Sequence, residues 1–239
     1  MIMVQKNAKP DFQKWDKWQQ NLKRIDDELQ NLDRARRLYF KFCEIVKRNK
    51  NLKNHSEHPF IDWLSFNYCV RLGMGIRRLV DKRSNKLNIY RLLLDVKDYT
   101  RQINVDNCTE YFVRQKNNTI GQRPSIYYSR HCRELTMRAF KEAFGRKRKT
   151  LLVRDVDQDL KFVEKGKAKI EKFVDENWAH MGKKNVSAPT TKDAHKCLDI
   201  LIKIYNKYSL LLFQHKFLPL DENILFLRWE TIFRIHWIE

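Results

Sequence analysis

Apolar residues recur at steps of three and four along the first part of this 239-residue chain, and this spacing restricts the region to helical structure. The repeating positions are Phe12, Trp15, Trp18, Leu22, Ile25, Leu29 and Leu32. The pattern continues to Val46, which predicts either one very long helix or two helices separated by a kink near 31–33. The chain has only 6 Gly and 5 Pro, which suits long helices better than turn-rich β structure. We therefore predict an all-α fold, an elongated helical bundle with no substantial sheet.

A second helix is predicted at 60–80, where apolar residues occur on almost every side. Pro59 suits the first position of this helix, because a missing N–H and a fixed φ are tolerated there. The continuous apolar surface predicts a central, buried helix. Gly73 and Gly75 are attributed to close helix packing, since the pair is too short to form a phosphate loop.

Further helices are predicted between polar stretches. Turn formers gather at 116–130 and predict a loop insertion. A helix is then predicted at 132–144 with Gly145 at its end, as is common for helices. A basic helix is predicted from 160 to about 178.

Two features mark the last part of the chain. Thr190 and Asp193 resemble a capping box that opens another helix. Pro219 then breaks the helical pattern, and residues 219–239 form an apolar C-terminal segment that includes Trp229 and Trp237. Such a segment needs to be covered.

Positive charge dominates the composition, with 49 Lys and Arg against 29 Asp and Glu and a net charge of +20. The surface should therefore attract polyanions. RNA or another nucleic acid is the first candidate partner, an anionic membrane surface is the second, and charge that serves solubility alone is the third. No signal peptide or membrane-spanning run is apparent, so we expect a soluble cytoplasmic protein without a membrane partner.

The densest charge run follows Gly145. We predict that it contacts nucleic-acid phosphates, because lysine and arginine supply most such contacts. A solvated basic loop is the alternative. The run is Arg146, Lys147, Arg148 and Lys149, with Arg138, Lys141 and Arg154 around it.

No metal site or cofactor is predicted. Asp155, Asp157 and Asp159 lack the glycine and terminal glutamate of a calcium loop, and acids at a helix start are favoured by the helix dipole in any case. The five cysteines are scattered and form no CxxC pair, so zinc binding and redox exchange are not indicated. We expect them to be thiols kept reduced in the cytoplasm.

The sequence Val174-Asp175-Glu176-Asn177-Trp178-Ala179-His180 places a histidine where the basic helix should stop. Histidine can take or give a proton near neutral pH, as cleavage of RNA at the 2′-hydroxyl requires. Such cleavage also requires a fixed positive charge that contacts the phosphate, and arginine supplies this best. The alternative is that His180 only ends the helix, stabilised by the helix dipole.

Asp175, Ala179 and His180 resemble a motif of the HEPN superfamily, in its abortive-infection, AbiU-like branch. In that motif a helix runs into an arginine, a polar residue, a short spacer and then Ala-His. Val174 stands where the arginine occurs.

A second part of the resemblance is the sequence Arg78-Leu79-Val80-Asp81 with the Leu-rich helix that follows it. It is similar to the Arg-Leu-x-Asp turn of the same branch. From spacing alone, Arg78 and Asp81 lie one helical turn apart and can instead pair with each other.

The resemblance implies a single all-helical domain of HEPN type over 1–239. Residues 1–31 would be an N-terminal helical extension, 32–213 the HEPN-like region with the loop insertion near 116–130, and 219–239 an extra apolar segment. The resemblance also implies a homodimer, a cognate antitoxin or other regulator, and RNA cleavage without a metal in phage-defence or toxin–antitoxin systems.

Within that resemblance His180 would act as general acid or base, oriented by Asp175, Glu176 or Asn177. A non-catalytic nucleic-acid-binding protein and a helical interaction protein are the alternatives, since the motif arginine is missing. Positive charge near the motif would have to come from lysines, which bind phosphate as point charges rather than bidentately. These lysines are Lys172, Lys183 and Lys184.

Overall fold

The computed structural model describes residues 10–49, 59–83, 88–120, 126–145, 148–174 and 190–218. These residues form α-helices, with one 3₁₀ turn at Thr100–Gln102. The helices are α1 Phe12–Arg48, α2 Pro59–Val80, α3 Ile89–Asp98, α4 Val105–Ile120, α5 Ile126–Phe144, α6 Val153–Phe173 and α7 Thr191–Phe213. The described residues contain no strand, only an isolated antiparallel bridge between Asn104 and Thr150. The predicted all-α class is confirmed.

Helix α1 is one uninterrupted helix of 37 residues, so the alternative with a kink near 31–33 is wrong. Asp11 caps its first turn, accepting a hydrogen bond from the backbone N–H of Lys14 at 3.1 Å. Packing continues across the expected kink, because Leu32 and Asp33 are both buried. The boundary expected between 1–31 and 32–213 therefore falls inside a continuous helix.

Helix α7 occupies the centre of the bundle and packs against α1, α2, α5 and α6. The predicted capping box opens it: Asp193 N–H donates to the Thr190 hydroxyl at 3.1 Å, and Thr190 N–H donates to the Asp193 carboxylate at 3.1 Å. Its buried side chains include Leu198, Leu201, Ile204, Tyr205, Tyr208, Leu211 and Leu212.

The prediction that 60–80 forms a central buried helix is wrong for the first half of α2. Phe60, Trp63 and Phe66 are 48%, 59% and 59% exposed. Burial begins at Tyr68, where α2 meets α7. Apolar composition shows that a helix can be buried, but it does not show how far its neighbours extend.

Close packing explains Gly75, as predicted. A Cβ atom at this position would overlap the side chain of Leu32 on α1. Gly166 plays the same part between α6 and α7, since a Cβ there would lie 3.3 Å from Ile200 Cδ1.

The interruption expected at 116–130 is narrower than predicted. Helix α4 continues to Ile120 and α5 begins at Ile126, so only 121–125 separate them, and these lie outside the described residues. Turn-forming side chains are tolerated in the flanking turns, because helix propensity is a weak signal beside packing. The predicted end of α5 is confirmed, since Gly145 follows it with a φ of 94°.

The apolar C-terminal segment 219–239 lies outside the described residues. None of the helices in the described part of the chain combines the length and the apolar composition needed to cross a bilayer.

Candidate nucleic-acid interface

One face of α5 carries side chains at steps of three and four that point to solvent. Glu134, Met137, Arg138 and Lys141 follow the i, i+3, i+4, i+7 spacing of a single helical stripe, and all four are exposed. This stripe differs from the core-facing one, which holds Cys132, Thr136, Ala139 and Phe140. The second half of α5 therefore presents two cations and a carboxylate on one surface.

The chain returns across this face after Gly145. The positive φ of Gly145 lets the backbone leave the helix sharply, and Arg148 N–H donates to its carbonyl at 3.3 Å. The returning segment, residues 148–152, is then held against the start of α4. Val105 N–H donates to the Lys149 carbonyl at 2.9 Å, and Leu151 N–H donates to the Ile103 carbonyl at 2.9 Å. These bonds set the positions of residues 148 and 149.

The stripe and the returning segment enclose a depression of about 350 Å³, which we call the basic groove. Three of its cations, Arg138, Lys141 and Lys149, have no acidic partner among the described residues. Their charge is therefore directed to solvent and available to an anion. The groove is lined by Val105, Glu134, Met137, Arg138, Lys141, Arg148 and Lys149.

Arg148 has a different environment from the other groove cations. Its Nη1 donates to both carboxylate oxygens of Asp155, at 2.8 and 2.6 Å. Asp155 also accepts the backbone N–H of Leu152 at 3.2 Å, at the start of α6. The charge of the Arg148 guanidinium, which was predicted to contact phosphate, is thus already neutralised by a carboxylate. The charge of the Lys149 ammonium group is not. Arg146 and Lys147 lie outside the described residues.

The three acids at the start of α6 diverge. Asp155 pairs with Arg148, and Asp157 pairs with Lys97 at 2.7 Å. Asp159 turns into the core, where it accepts from Tyr208 at 2.7 Å. Burial raises the pKa of Tyr208, and the adjacent Asp159 carboxylate raises that pKa further. Within the described residues no group of three His, Cys, Asp or Glu side chains is placed to hold a metal ion.

The resemblance motif begins where the described part of α6 ends. Val174 is fully buried, and its backbone N–H bonds to the carbonyls of Ile170 and Glu171. Lys172 is exposed on the last turn. The proposed catalytic residues and the other two lysines lie outside the described residues: Asp175, Glu176, Asn177, His180, Lys183 and Lys184.

The basic groove and Val174, the first position of the motif, lie at opposite ends of α6. Arg148 is tied to Asp155 in the first turn, whereas Val174 follows the last turn of this 21-residue helix. At 1.5 Å per residue the helix is roughly 30 Å long. Lys149 and Lys172, both predicted to contact nucleic acid, therefore cannot hold the same phosphate within one chain.

The second part of the resemblance is the Arg-Leu-x-Asp sequence, and its two charged residues have partners that their spacing did not predict. Arg78 pairs with Glu28 on α1 at 2.6 Å rather than with Asp81. The Asp81 carboxylate accepts the backbone N–H of Arg83 at 2.9 Å, and its carbonyl accepts from the Asn88 side chain at 2.8 Å. Asp81 therefore contacts both described ends of the connection between α2 and α3, at Arg83 and Asn88.

A histidine that the sequence did not single out lies at the junction of α1, α2 and α7. His195 Nε2 lies 2.5 Å from the hydroxyl of Tyr68, and its ring meets Phe40 edge-on at 4.9 Å. Burial lowers the pKa of His195, the nearby Arg36 lowers it further, and Asp199 opposes this. Burial also raises the pKa of Tyr68 well above its usual range, so the phenol stays protonated and shares a hydrogen bond with the imidazole ring.

Arg36 beside this histidine is fully engaged. It donates to Asp33 on its own helix and to Asp199 on α7. Arg37 also donates to Asp33, at 2.8 Å. This arrangement joins α1 to α7 and leaves no free guanidinium, so it differs from the unpaired cations of the basic groove. Local spacing could not have revealed the contact between Tyr68 and His195, because these residues are 127 positions apart.

These features define a class of protein: an all-helical bundle whose described part carries a depression lined by cations. The family model HEPN AbiU2 matches residues 16–223. The chain therefore belongs to the AbiU2 family of the HEPN superfamily. The match begins inside the segment expected to be an N-terminal extension, in agreement with the continuity of α1. No curated protein and no solved structure matches the chain.

Proposed function

We propose that this chain is an RNA-interacting protein of abortive-infection or toxin–antitoxin type that binds RNA phosphates in the basic groove. The observation that carries the proposal is the convergence of Arg138, Lys141 and Lys149, none of which has an acidic partner among the described residues. Membership of the AbiU2 family supports a role linked to RNA.

The groove suits a partner that the protein recognises mainly through the partner's charge. Its cations come from α5 and from the returning segment, so they line a concave surface rather than a flat one. Each phosphate contact releases condensed counterions, which makes affinity fall with salt. Binding should therefore be largely independent of sequence and strongly dependent on ionic strength.

The test is the salt dependence of RNA affinity for the variant Arg138→Ala/Lys141→Ala/Lys149→Ala. Three lost phosphate contacts should reduce the slope of log affinity against log salt by about 2 for single-stranded RNA. Fluorescence anisotropy at salt concentrations between about 50 and 200 mM measures the affinity from which this slope is obtained.

A charge-matched control separates groove contacts from net charge. The variant Lys23→Ala/Arg24→Ala/Lys203→Ala removes the same charges from exposed positions on α1 and α7. It should keep the wild-type slope. Equal slopes for the two variants and the wild type would refute the groove as the contact surface.

Metal-independent RNA cleavage at His180 is the second candidate. The observation that favours it is that α6 stays helical through Phe173 and carries exposed Lys172 three residues before Asp175. In this proposal His180 is the general acid or base, and Lys172 supplies positive charge near the phosphate. Purified protein incubated with cellular RNA and EDTA should then cut it, and His180→Ala should not. Intact RNA with both the wild type and His180→Ala would contradict cleavage, and RNA binding would then remain as the proposed function.

The resemblance also carries a proposal about assembly. We propose a homodimer, with a cognate antitoxin or regulator as a further partner. Light scattering at micromolar protein should then give the mass of two chains. A monomer under these conditions would contradict a site shared between two copies.

A further inference from the structure

We propose that the basic groove holds the phosphorylated end of an RNA strand, as a pocket for a terminal nucleotide. This inference rests on the proposed function, and it adds the chemical class of the group that the groove selects.

The size of the groove favours a nucleotide over a helix. About 350 Å³ lies at the small end of the range for ligand sites in proteins, which begins at about 300 Å³. The floor and walls come from α5, the start of α4 and the returning segment, which meet at Val105 and Lys149. A duplex is wider than its own major groove, which is about 12 Å across in B-form DNA, so it would lie across a depression of this volume without entering it.

The charge favours a phosphate monoester over a phosphodiester. A monoester carries about −1.5 to −2 at neutral pH, because its second pKa is near 6, whereas an internal phosphate of the strand carries a single charge. Arg138 and Lys141 line the groove from α5, and Lys149 lines it from the returning segment. Three cations without acidic partners in the described part of the chain gain more from a dianion than from a monoanion.

The groove is chemically uneven along its length. Glu134 lies at one end of the α5 stripe and Lys141 at the other, seven residues or about 10 Å apart along the helix. The Glu134 carboxylate forms an exposed ion pair with Arg130 at 3.6 Å, which leaves it able to accept hydrogen bonds from ribose hydroxyl or base N–H groups, whereas its charge repels phosphate. Val105 and Met137 also line the groove and add apolar surface. The phosphate therefore belongs at the Lys141 end and the nucleoside at the Glu134 end.

The groove is also held in shape before any ligand arrives. The Arg148–Asp155 pair and the backbone bonds of Lys149 and Leu151 fix the returning segment against α4 and α6. A site held in this way loses little conformational entropy when it binds. Arg148 is thus a positioning residue rather than a ligand contact.

The first experiment compares single-stranded RNAs of one sequence with four kinds of end: a 5′-phosphate, a 3′-phosphate, hydroxyls at both ends, and a covalently closed circle. At least one phosphorylated strand should bind about tenfold more tightly than the hydroxyl-ended strand and the circle. The variant Arg138→Ala/Lys141→Ala/Lys149→Ala, shown to be folded by circular dichroism, should bind all four alike. The 5′ and 3′ arms identify which end enters the groove.

Equal affinities of all four RNAs for the wild type overturn this inference. If the triple variant then weakens all four equally, the proposed function stands with an open groove. If the wild type binds none of them, the proposed function fails as well.

The second experiment tests the nucleoside end of the groove with Glu134→Gln, which keeps the shape and removes the charge. The probes are a nucleoside 5′-monophosphate, a nucleoside 3′-monophosphate and inorganic phosphate, used as competitors of labelled RNA. The wild type should prefer a nucleotide to inorganic phosphate about tenfold, and Glu134→Gln should reduce that preference while binding inorganic phosphate more tightly. No preference in the wild type would contradict the assignment of Glu134.

Discussion

Arg148 and Asp155 form an ion pair in which one guanidinium nitrogen lies 2.8 and 2.6 Å from the two carboxylate oxygens. The same carboxylate accepts the backbone N–H of Leu152. A single side chain thus starts α6 and fixes the segment that forms one wall of the basic groove. The groove's shape depends on an acid whose position in the sequence indicates only a metal ligand or a helix-dipole partner.

Replacing Asp155 by alanine should lower the free energy of unfolding by about 1–2 kcal/mol, because a helix-start hydrogen bond and the partner of Arg148 are both lost. Urea unfolding measures this. Asp157→Ala is the matched control on the same helix: its partner Lys97 is more exposed, so the loss should stay below about 1 kcal/mol. Equal losses in the two variants would contradict the special role of Asp155.

Val174→Arg should destabilise the fold by roughly 3–5 kcal/mol, because Val174 is fully buried and an arginine there would be an unpaired internal charge. Val174→Ala, which only removes methyl groups, should cost about 2 kcal/mol. Urea unfolding compares the two. A Val174→Arg protein with wild-type stability that cuts RNA would instead show that this position can supply the arginine of the family motif.

His195 should make stability depend on pH. Its pKa in the folded protein is below the ordinary 6.5, so the unfolded chain binds the proton more readily. Stability is therefore fully present above pH 6.5 and is lost as pH falls through the lower folded pKa. The groups that face the ring are Tyr68, Arg36 and Asp199.

The variant His195→Gln isolates this contribution. Urea unfolding at several values between pH 7.5 and pH 5 should show a steeper loss in the wild type than in His195→Gln. Tyr68→Phe keeps the histidine and removes the hydroxyl that is hydrogen-bonded to it, so it should lower stability at pH 7.5. Parallel pH profiles for the wild type and His195→Gln would contradict the assignment.

Gly75→Ala should cost about 1–3 kcal/mol, because a Cβ atom there overlaps Leu32. Leu32→Ala alone should cost about 2–5 kcal/mol through the cavity that it leaves. The double variant should be less destabilised than the sum of the two, since each change relieves the other. Strict additivity in urea unfolding would show that the two positions do not contact.

Much of the helical architecture could be predicted from the sequence. The stripe from Trp15 to Leu32 faces the core, the capping box at Thr190 opens α7, and Gly145 follows the end of α5. Each of these signals is local, because helix periodicity and caps involve residues within a few positions of one another. The charge run that contains Lys149 was likewise recognised, together with Arg138 and Lys141 beside it.

Other properties of the candidate site were not predictable from local signals. The spacing of Glu134 and Met137 on the α5 stripe was available in the sequence, but not the chain segment that returns over them. The sequence placed Arg148 among the phosphate contacts, and the structure pairs it with Asp155. Nothing near His195 in the sequence indicated Tyr68, which lies 127 positions away.

By itself, the sequence determined the helices, their apolar faces and the excess of positive charge, because these depend on local period and on composition. Tertiary structure decided which cations remain unpaired, that Val174 faces the core, and that the first half of α2 is exposed. Pairing and burial depend on which distant segments meet. That is settled by the packing of the whole bundle, where each carboxylate and each apolar face competes for neighbours that local spacing does not specify.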